Sequence, residues 1–222
     1  DDHLYGEGGN DSIDAGSGDN YAEGGGGNDT ITGGGGTDQF YGGTGNDSIS
    51  GGGGVDILFG GKDNDKLDGG SGNDFLYGDA FDPANTTVVG NDTLVGGDGN
   101  DLLHGAGGSD TLYGDDESTV SDSIVLFPSK GNDTLFGDAG DDSLFGGRGK
   151  DTLYGDSADL TGTGNDVLVG GAGEDTLYGA GGNDIIRGGA GNDKITGGLG
   201  VDQLFGNAGA DKFIFKSVAE SS

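Results

Sequence analysis

The chain has 222 residues, of which 57 are Gly and 2 are Pro. Forty acidic residues (35 Asp, 5 Glu) against nine basic ones give a net charge of −31, which argues against nucleic acid as a partner because phosphates would be repelled. No apolar run approaches the ~20 residues of a membrane helix, the absence of Cys removes any disulfide framework or Cys-ligated zinc, and Leu, Ile, Val and Phe together number only 46, close to the ~20% that marks disorder. An ordinary hydrophobic core is therefore out of reach, and something else must bind to the folded state.

Taken in chain order, the sequence is a repeat. Residues 1–5 read as the tail of a unit whose glycines are missing. From Gly24 the units are GGGGNDTIT, GGGGTDQFY, GGTGNDSIS, GGGGVDILF, GGKDNDKLD and GGSGNDFLY, nine residues each without a gap. The pattern is G-G-x-G-x-D-x-U-x, with U large and apolar. It resumes at Gly170 with GGAGEDTLY, GAGGNDIIR, GGAGNDKIT, GGLGVDQLF and GNAGADKFI. Over the whole chain the sixth position is Asp in 20 of 21 units, at Asp2, Asp11, Asp29, Asp38, Asp47, Asp56, Asp65, Asp74, Asp92, Asp101, Asp110, Asp133, Asp142, Asp151, Asp166, Asp175, Asp184, Asp193, Asp202 and Asp211; the exception is Asn20. The eighth position is large and apolar except at Ala22, in the same unit as Asn20.

Three insertions, near 78–89, 114–130 and 155–163, each follow a Leu-Tyr-Gly-Asp sequence and each precede Gly-Asn-Asp. They sit within a glycine turn and leave the strands intact, as a repeat array allows. The middle one contains Ser123-Ile124-Val125-Leu126-Phe127-Pro128, apolar enough to fold back on the body. One repeat domain spans 1–214, and 215–222 reads as the start of a truncated C-terminal cap, so the chain is expected to be a piece of a longer protein.

The spacing dictates an all-β fold. Only x-U-x, about three residues, is predicted as strand, with the eighth position inward and the seventh and ninth outward. Glycine turns reverse the chain, and Asn at position five, found in 11 units, tolerates the left-handed region. Two units make one coil, and coils stack as parallel strands ~4.8 Å apart, giving about ten 18-residue coils. Each edge then carries a file of Asp carboxylates that repel unless a cation lies between them. Turn carbonyls, freed from strand pairing, add oxygen donors. An all-oxygen site favours Ca²⁺ over Mg²⁺, which demands a stricter octahedron. There are 19 same-edge neighbouring pairs of loops, and on the order of 15 ions would offset the chain's charge.

The run G-G-x-G-x-D-x-U-x resembles the calcium-binding repeat of RTX (repeats-in-toxin) proteins over residues 1–214. The resemblance implies a right-handed parallel β-roll, export from a Gram-negative bacterium by type I secretion, and folding outside the low-calcium cytosol. It also implies a ligand set. The earlier loop gives carbonyls from its second and fourth positions plus its Asp, and the later loop gives those from its first and third plus its Asp. Here that pairs Gly25, Gly27 and Asp29 with Gly42, Thr44 and Asp47, and then Gly43, Gly45 and Asp47 with Gly60, Lys62 and Asp65. The same rule reaches Gly34, Gly36, Gly51, Gly52, Gly53, Gly54, Gly171, Gly173, Gly188, Gly189, Ala190 and Gly191.

Other features carry less. No G-x-x-x-x-G-K-[S/T] occurs among the glycines. Asn-x-Ser/Thr triplets are by-products of the repeat, and only two Thr-x-Asn triplets fit an ice-binding array. His3 and His104 are expected on the surface without metal-ligand partners. No catalytic constellation stands apart from the repeat, so the segment is expected to be non-catalytic. Odd-numbered strands place Tyr5, Tyr41, Ile57, Phe59, Phe75, Tyr77, Leu102, Phe136, Tyr154 and Tyr178 on one outer face. This is either a sheet-stabilising aromatic ladder or, around Ile57, Phe59, Phe75, Tyr77 and Leu102, a contact patch for a partner domain, a second copy or a polysaccharide. Three roles stay open: a calcium-driven folding scaffold, a substrate-contact module of an extracellular protease, lipase or polysaccharide-modifying enzyme, and an adhesin stalk. In each, the segment is secreted or at the cell surface.

Overall fold

The computed structural model describes residues 1–79, 90–114, 131–156 and 162–215. Among them, 21 strands form two parallel sheets, and successive strands alternate between the sheets. One sheet holds the eleven odd-numbered strands and the other the ten even-numbered ones. The result is a parallel β-solenoid of about ten coils with the coil length expected from the repeat. Within uninterrupted stretches each residue pairs with the one 18 positions on, as Phe40 with Leu58. Across the insertions the register becomes Leu67 to Leu94, Leu103 to Leu135 and Leu144 to Leu168. No coil is added between the described strands on either side, which keeps odd strands on one face to the end. The expected fold-back at 123–128 lies outside the described residues.

The strands are longer than the pattern suggested. Most run six residues, as Thr30–Gly35 and Val167–Ala172, and continue through the first three residues of the next glycine turn. Identical coils stack without offset, so turn backbone meets turn backbone, and Gly25 pairs with Gly43 just as Ala22 pairs with Phe40. The turns are hydrogen-bonded structure in their own right. The position-three carbonyl accepts from the position-four N–H of the preceding coil, as Thr44 O from Gly27 N at 2.8 Å. Turn carbonyls are thus only partly free of pairing, contrary to the sequence reading.

Glycine is required where coils touch. Gly34 O would lie 2.6 Å from a Cβ on Gly52, whose φ is +105°. The asparagines do not serve this purpose. Among the described residues, the non-glycine ones with positive φ are Glu7, Asp63, Ala106, Asp138, Ala180 and Asn207, none of them a position-five Asn. Position-five side chains form a ladder instead: Asn28 Oδ1 accepts from Asn46 N, and Asn46 Oδ1 from Asn64 N, each at 3.0 Å.

The core is one apolar side chain per strand. Ile31, Phe40, Ile49, Leu58, Leu67, Leu76, Leu94, Leu103, Leu112, Leu135, Leu144, Leu153, Leu168, Leu177, Ile186 and Ile195 are fully buried, while Leu4, Ile13 and Leu204 at the ends are partly covered. Ala22, the short core residue, pairs with Phe40, the largest one. Each strand contributes a single core side chain, so its loss leaves a gap that its neighbours fill only in part. Leu144→Ala is expected to cost the calcium-loaded protein about 2–5 kcal/mol in denaturant unfolding, and Leu4→Ala at the partly covered end clearly less; equal losses would contradict a core built one residue per strand.

Candidate metal centre

The Asp files lie inside the coil edges. From Asp29 to Asp193 every position-six Asp is 0–3% exposed, whereas Asp11, Asp202 and Asp211 are half-buried and Asp2 is exposed. The turn fixes one carboxylate oxygen. Oδ1 accepts the backbone N–H of the Asp one coil earlier, as Asp47 from Asp29, Asp56 from Asp38 and Asp65 from Asp47, at 2.7–2.8 Å. The contact spans the insertions unchanged, with Asp92 accepting from Asp65 at 2.8 Å.

The other oxygen is left over. Oδ2 of Asp29, Asp38, Asp47, Asp56, Asp65, Asp74, Asp92, Asp110, Asp142, Asp166, Asp175, Asp184 and Asp193 is buried and accepts no hydrogen bond. An unsatisfied buried anionic oxygen is among the costliest features a fold can hold. It also has company. A Cβ placed on Gly170 would lie 2.6 Å from both Asp175 Oδ2 and the carbonyl of Gly188 in the next coil, and one on Gly69 would meet Asp74 Oδ2 at 2.6 Å and Gly96 O at 2.7 Å. Gly24 stands likewise against Asp29 Oδ2 and Gly42 O. Position one is therefore glycine because two oxygens converge on the space a side chain would take.

The remaining expected donors face the same gap between coils. Position-two and position-four carbonyls point forward: Gly25 O toward Gly43, Gly27 O toward Gly45, Gly36 O toward Gly54, Gly171 O toward Gly189 and Gly173 O toward Gly191. Position-one carbonyls point back, as Gly60 O toward Gly42 and Gly51 O toward Gly33. Position-three carbonyls also point back and carry a hydrogen bond, as Gly53 O from Gly36 N and Ala190 O from Gly173 N, both at 2.8 Å. Among the described residues no three His, Cys, Asp or Glu side chains gather as a metal-binding group; the oxygens that do converge are mostly main-chain carbonyls.

Asn20 is the internal comparison. Its Oδ1 accepts Asp2 N at 3.0 Å, as an Asp would, but its Nδ2 donates to Gly18 O at 2.9 Å. In this loop an N–H group meets the position-four carbonyl. In the loops of Asp29, Asp74 and Asp175 the carboxylate instead presents an oxygen, Oδ2, beside the next coil's position-one carbonyl, and at neutral pH a cation satisfies such an arrangement. Oxygen-only donors, carboxylate and carbonyl together, suit Ca²⁺. The residues present therefore fit the ion.

Burial pushes these carboxyls up from their ordinary 3.8. It is partly offset by the N–H from the preceding coil and reinforced by neighbouring carboxylates: Asp47 and Asp56 reach about 6, Asp110 and Asp142 about 7, and Asp65 and Asp166 about 8.

The outer face of the odd sheet carries a continuous stack. Tyr41, Phe59, Tyr77, His104, Phe136, Tyr154 and Tyr178 follow one another at centroid distances of 4.5–5.4 Å, their ring planes nearly parallel, and Tyr21 links them to Tyr5. The sequence reading missed Tyr21, which reaches across from a seventh position, and set His104 apart. His104 is a member of the stack, and its Nδ1 lies 3.1 Å from Asp138 Oδ2. Of the expected patch, Ile57, Phe59, Tyr77 and Leu102 are half-buried and Phe75 is 38% exposed.

Two outcomes follow. The carboxyls hold their protons more tightly folded than unfolded, so their contribution favours the metal-free fold at low pH and is lost as pH rises through their folded values. In chelator, β-sheet circular dichroism is expected to grow as pH falls from about 8 toward about 4, while the calcium needed for folding rises over the same range because protons compete with the ion; loss of structure on acidification would contradict this. Gly170→Ala, placing a methyl among the oxygens, is expected to shift the calcium titration to higher concentration. Gly35→Ala, whose Cβ would come no closer than 3.8 Å to the facing coil, at Gly53 O, is the control expected to leave it in place.

A search of curated proteins finds no match to the chain. The family model described as the RTX calcium-binding nonapeptide repeat (4 copies) matches residues 1–22, 14–49, 50–82, 87–118, 129–159, 160–195 and 178–213. With the repeat, the coil geometry and the oxygen-lined gaps in agreement, the chain belongs to the RTX calcium-binding repeat family.

Proposed function

We propose that this chain is a calcium-driven folding module of a secreted bacterial protein. It stays unfolded in the low-calcium cytosol, passes through a type I secretion system, and folds outside into a stiff, non-catalytic scaffold for flanking domains of a larger parent. The observation that carries this reading is the file of buried Asp Oδ2 atoms with no hydrogen-bond donor. Without a cation these oxygens oppose the fold; with one, binding free energy becomes folding free energy. The position-six Asp residues named above are the carboxylate ligands, and the turn carbonyls facing each gap complete the sets. On the order of 15 ions would be held between same-edge loops.

A second reading, a substrate-contact module of an extracellular enzyme, draws on the half-buried aromatic stack and on Phe75 at 38% exposure. Retention of the isolated chain on a polysaccharide matrix, lost on Phe75→Ser, would favour it.

Circular dichroism of the chelated chain titrated with Ca²⁺, and with Mg²⁺ in parallel, tests the first reading. A steep coil-to-β transition with Ca²⁺ alone is expected; a chain already folded in chelator at pH about 8 or above, where the buried carboxyls lose their protons, overturns it. Coils couple to their neighbours, so Asp56→Ala, at a fully buried position between two gaps, is expected to raise the calcium midpoint more than Asp2→Ala at the exposed end. Equal shifts would contradict coupling between coils.

A further inference from the structure

Two of the insertions leave the same edge, where the chain passes from the odd to the even sheet, and both begin with an Asp at the second turn position: Asp79 and Asp156. Neither belongs to the position-six files, yet they are 3% and 1% exposed. In a regular turn, the N–H at position three of one coil donates to the position-two carbonyl of the coil before it. Gly26 N donates to Glu7 O at 3.0 Å, and Ala139 N to Ala106 O at 2.8 Å. In the insertion-bearing turns a side chain takes over this role. Gly107 N donates to Asp79 Oδ2 at 3.0 Å and Gly181 N to Asp156 Oδ2 at 3.3 Å.

Asp138 shows why. It is also an Asp at position two, on the same edge, but in an uninterrupted turn. There the backbone adopts φ +70°, and the carboxylate faces outward to His104. Asp79 and Asp156 are not among the positive-φ residues. The strand Phe75–Asp79 runs straight to the point where the chain departs, and the side chain turns in where the main-chain oxygen would have been. Asp79 Oδ1 is then buried with no hydrogen-bond partner. The Gly90 N–H also faces the Asp79 carboxyl, but it donates to Gly107 O at 3.0 Å. Asp156 differs in that its Oδ1 accepts Gly164 N at 3.3 Å.

We propose that Asp79 is a calcium ligand outside the nonapeptide pattern. Its side chain replaces the position-two carbonyl lost to the first insertion and puts a charged oxygen where a regular coil offers a neutral one. Asp156, with both oxygens hydrogen-bonded, serves the same place in the third insertion chiefly as a surrogate for the ladder. The proposal rests on the calcium reading given above. Calcium affinity in oxygen sites is tuned by ligand charge, so the coil that carries the first insertion holds its ion more tightly than regular coils do. An insertion that would otherwise break the file of sites leaves it continuous.

The test is the number of calcium ions retained per chain at limiting free Ca²⁺, read by native mass spectrometry, together with the calcium midpoint of folding. Asp79→Asn keeps the shape and an oxygen for Gly107 N–H but removes the charge. Asp138→Asn is the outward-facing control, and Asp47→Asn the regular-ligand control. Asp79→Asn is expected to lose one tightly held ion and to raise the midpoint, with affinity at that coil falling roughly tenfold, while Asp156→Asn retains its ions. If Asp47→Asn loses an ion and Asp79→Asn behaves as Asp138→Asn does, the proposal is overturned and the calcium reading stands. If Asp47→Asn also changes nothing, the calcium reading itself fails. Should Asp79→Asn not fold at any calcium concentration, Asp79→Glu, which keeps the charge, decides: recovery of the ion supports a ligand, and folding without it overturns one.

Discussion

The structure depends on one constraint: a file of carboxylates has been taken out of water and given half the partners it needs. From Asp29 to Asp211 each position-six Asp accepts through Oδ1 an N–H from the preceding coil, and the buried Oδ2 atoms of residues such as Asp47, Asp65 and Asp142 accept no hydrogen bond. Burying a charge without a counter-charge is prohibitive, and a core of one apolar side chain per strand is too thin to offset it. The fold is thus conditional on a cation by construction. The same oxygens that make the metal-free roll unfavourable make the gap between coils a site for a hard divalent ion.

Stacking turns this local requirement into a cooperative one. Three kinds of file run along the solenoid. The Asp files link each coil to the one before, since Oδ1 accepts from the preceding Asp N–H. Where position five is Asn, its side chain links a coil to the one after, as Asn28 Oδ1 accepts from Asn46 N. The aromatic stack runs along one outer face. A coil makes its contacts with its two neighbours and few beyond them, which is the condition for one-dimensional coupling. The first and third insertions are tolerated because they leave at the turn, where the side chains of Asp79 and Asp156 continue the hydrogen-bond pattern across the interruption.

Much of this was legible in the residues. The period announces two units per coil, and every expected inward residue from Ala22 to Ile195 is buried. Asp at position six, beside Gly at positions one, two and four, announces carboxylates against close-packed backbone. Less legible was anything that depends on how one coil rests on the next. Strands continue into the glycine turns because turn backbone pairs with turn backbone 18 residues on, a contact no single unit reveals. Asn at position five suggested left-handed backbone when read alone; in the stack it is a hydrogen-bond acceptor for the next coil. Tyr21 sits at a seventh position, and only the register places its ring in the stack; His104 occupies a ninth position of an odd-numbered strand like its stack neighbours, and is passed over when only Phe and Tyr are counted there.

The sequence by itself therefore determined the coil, its core and the chemistry of its edges, because a strict nine-residue period leaves each side chain one direction to point. Tertiary structure decided the rest. Whether an Asp at the second turn position faces inward, as Asp79 does, or outward to His104, as Asp138 does, depends on whether the chain turns there or departs. That choice is made by the backbone of a whole turn packed against its neighbours, not by the residue.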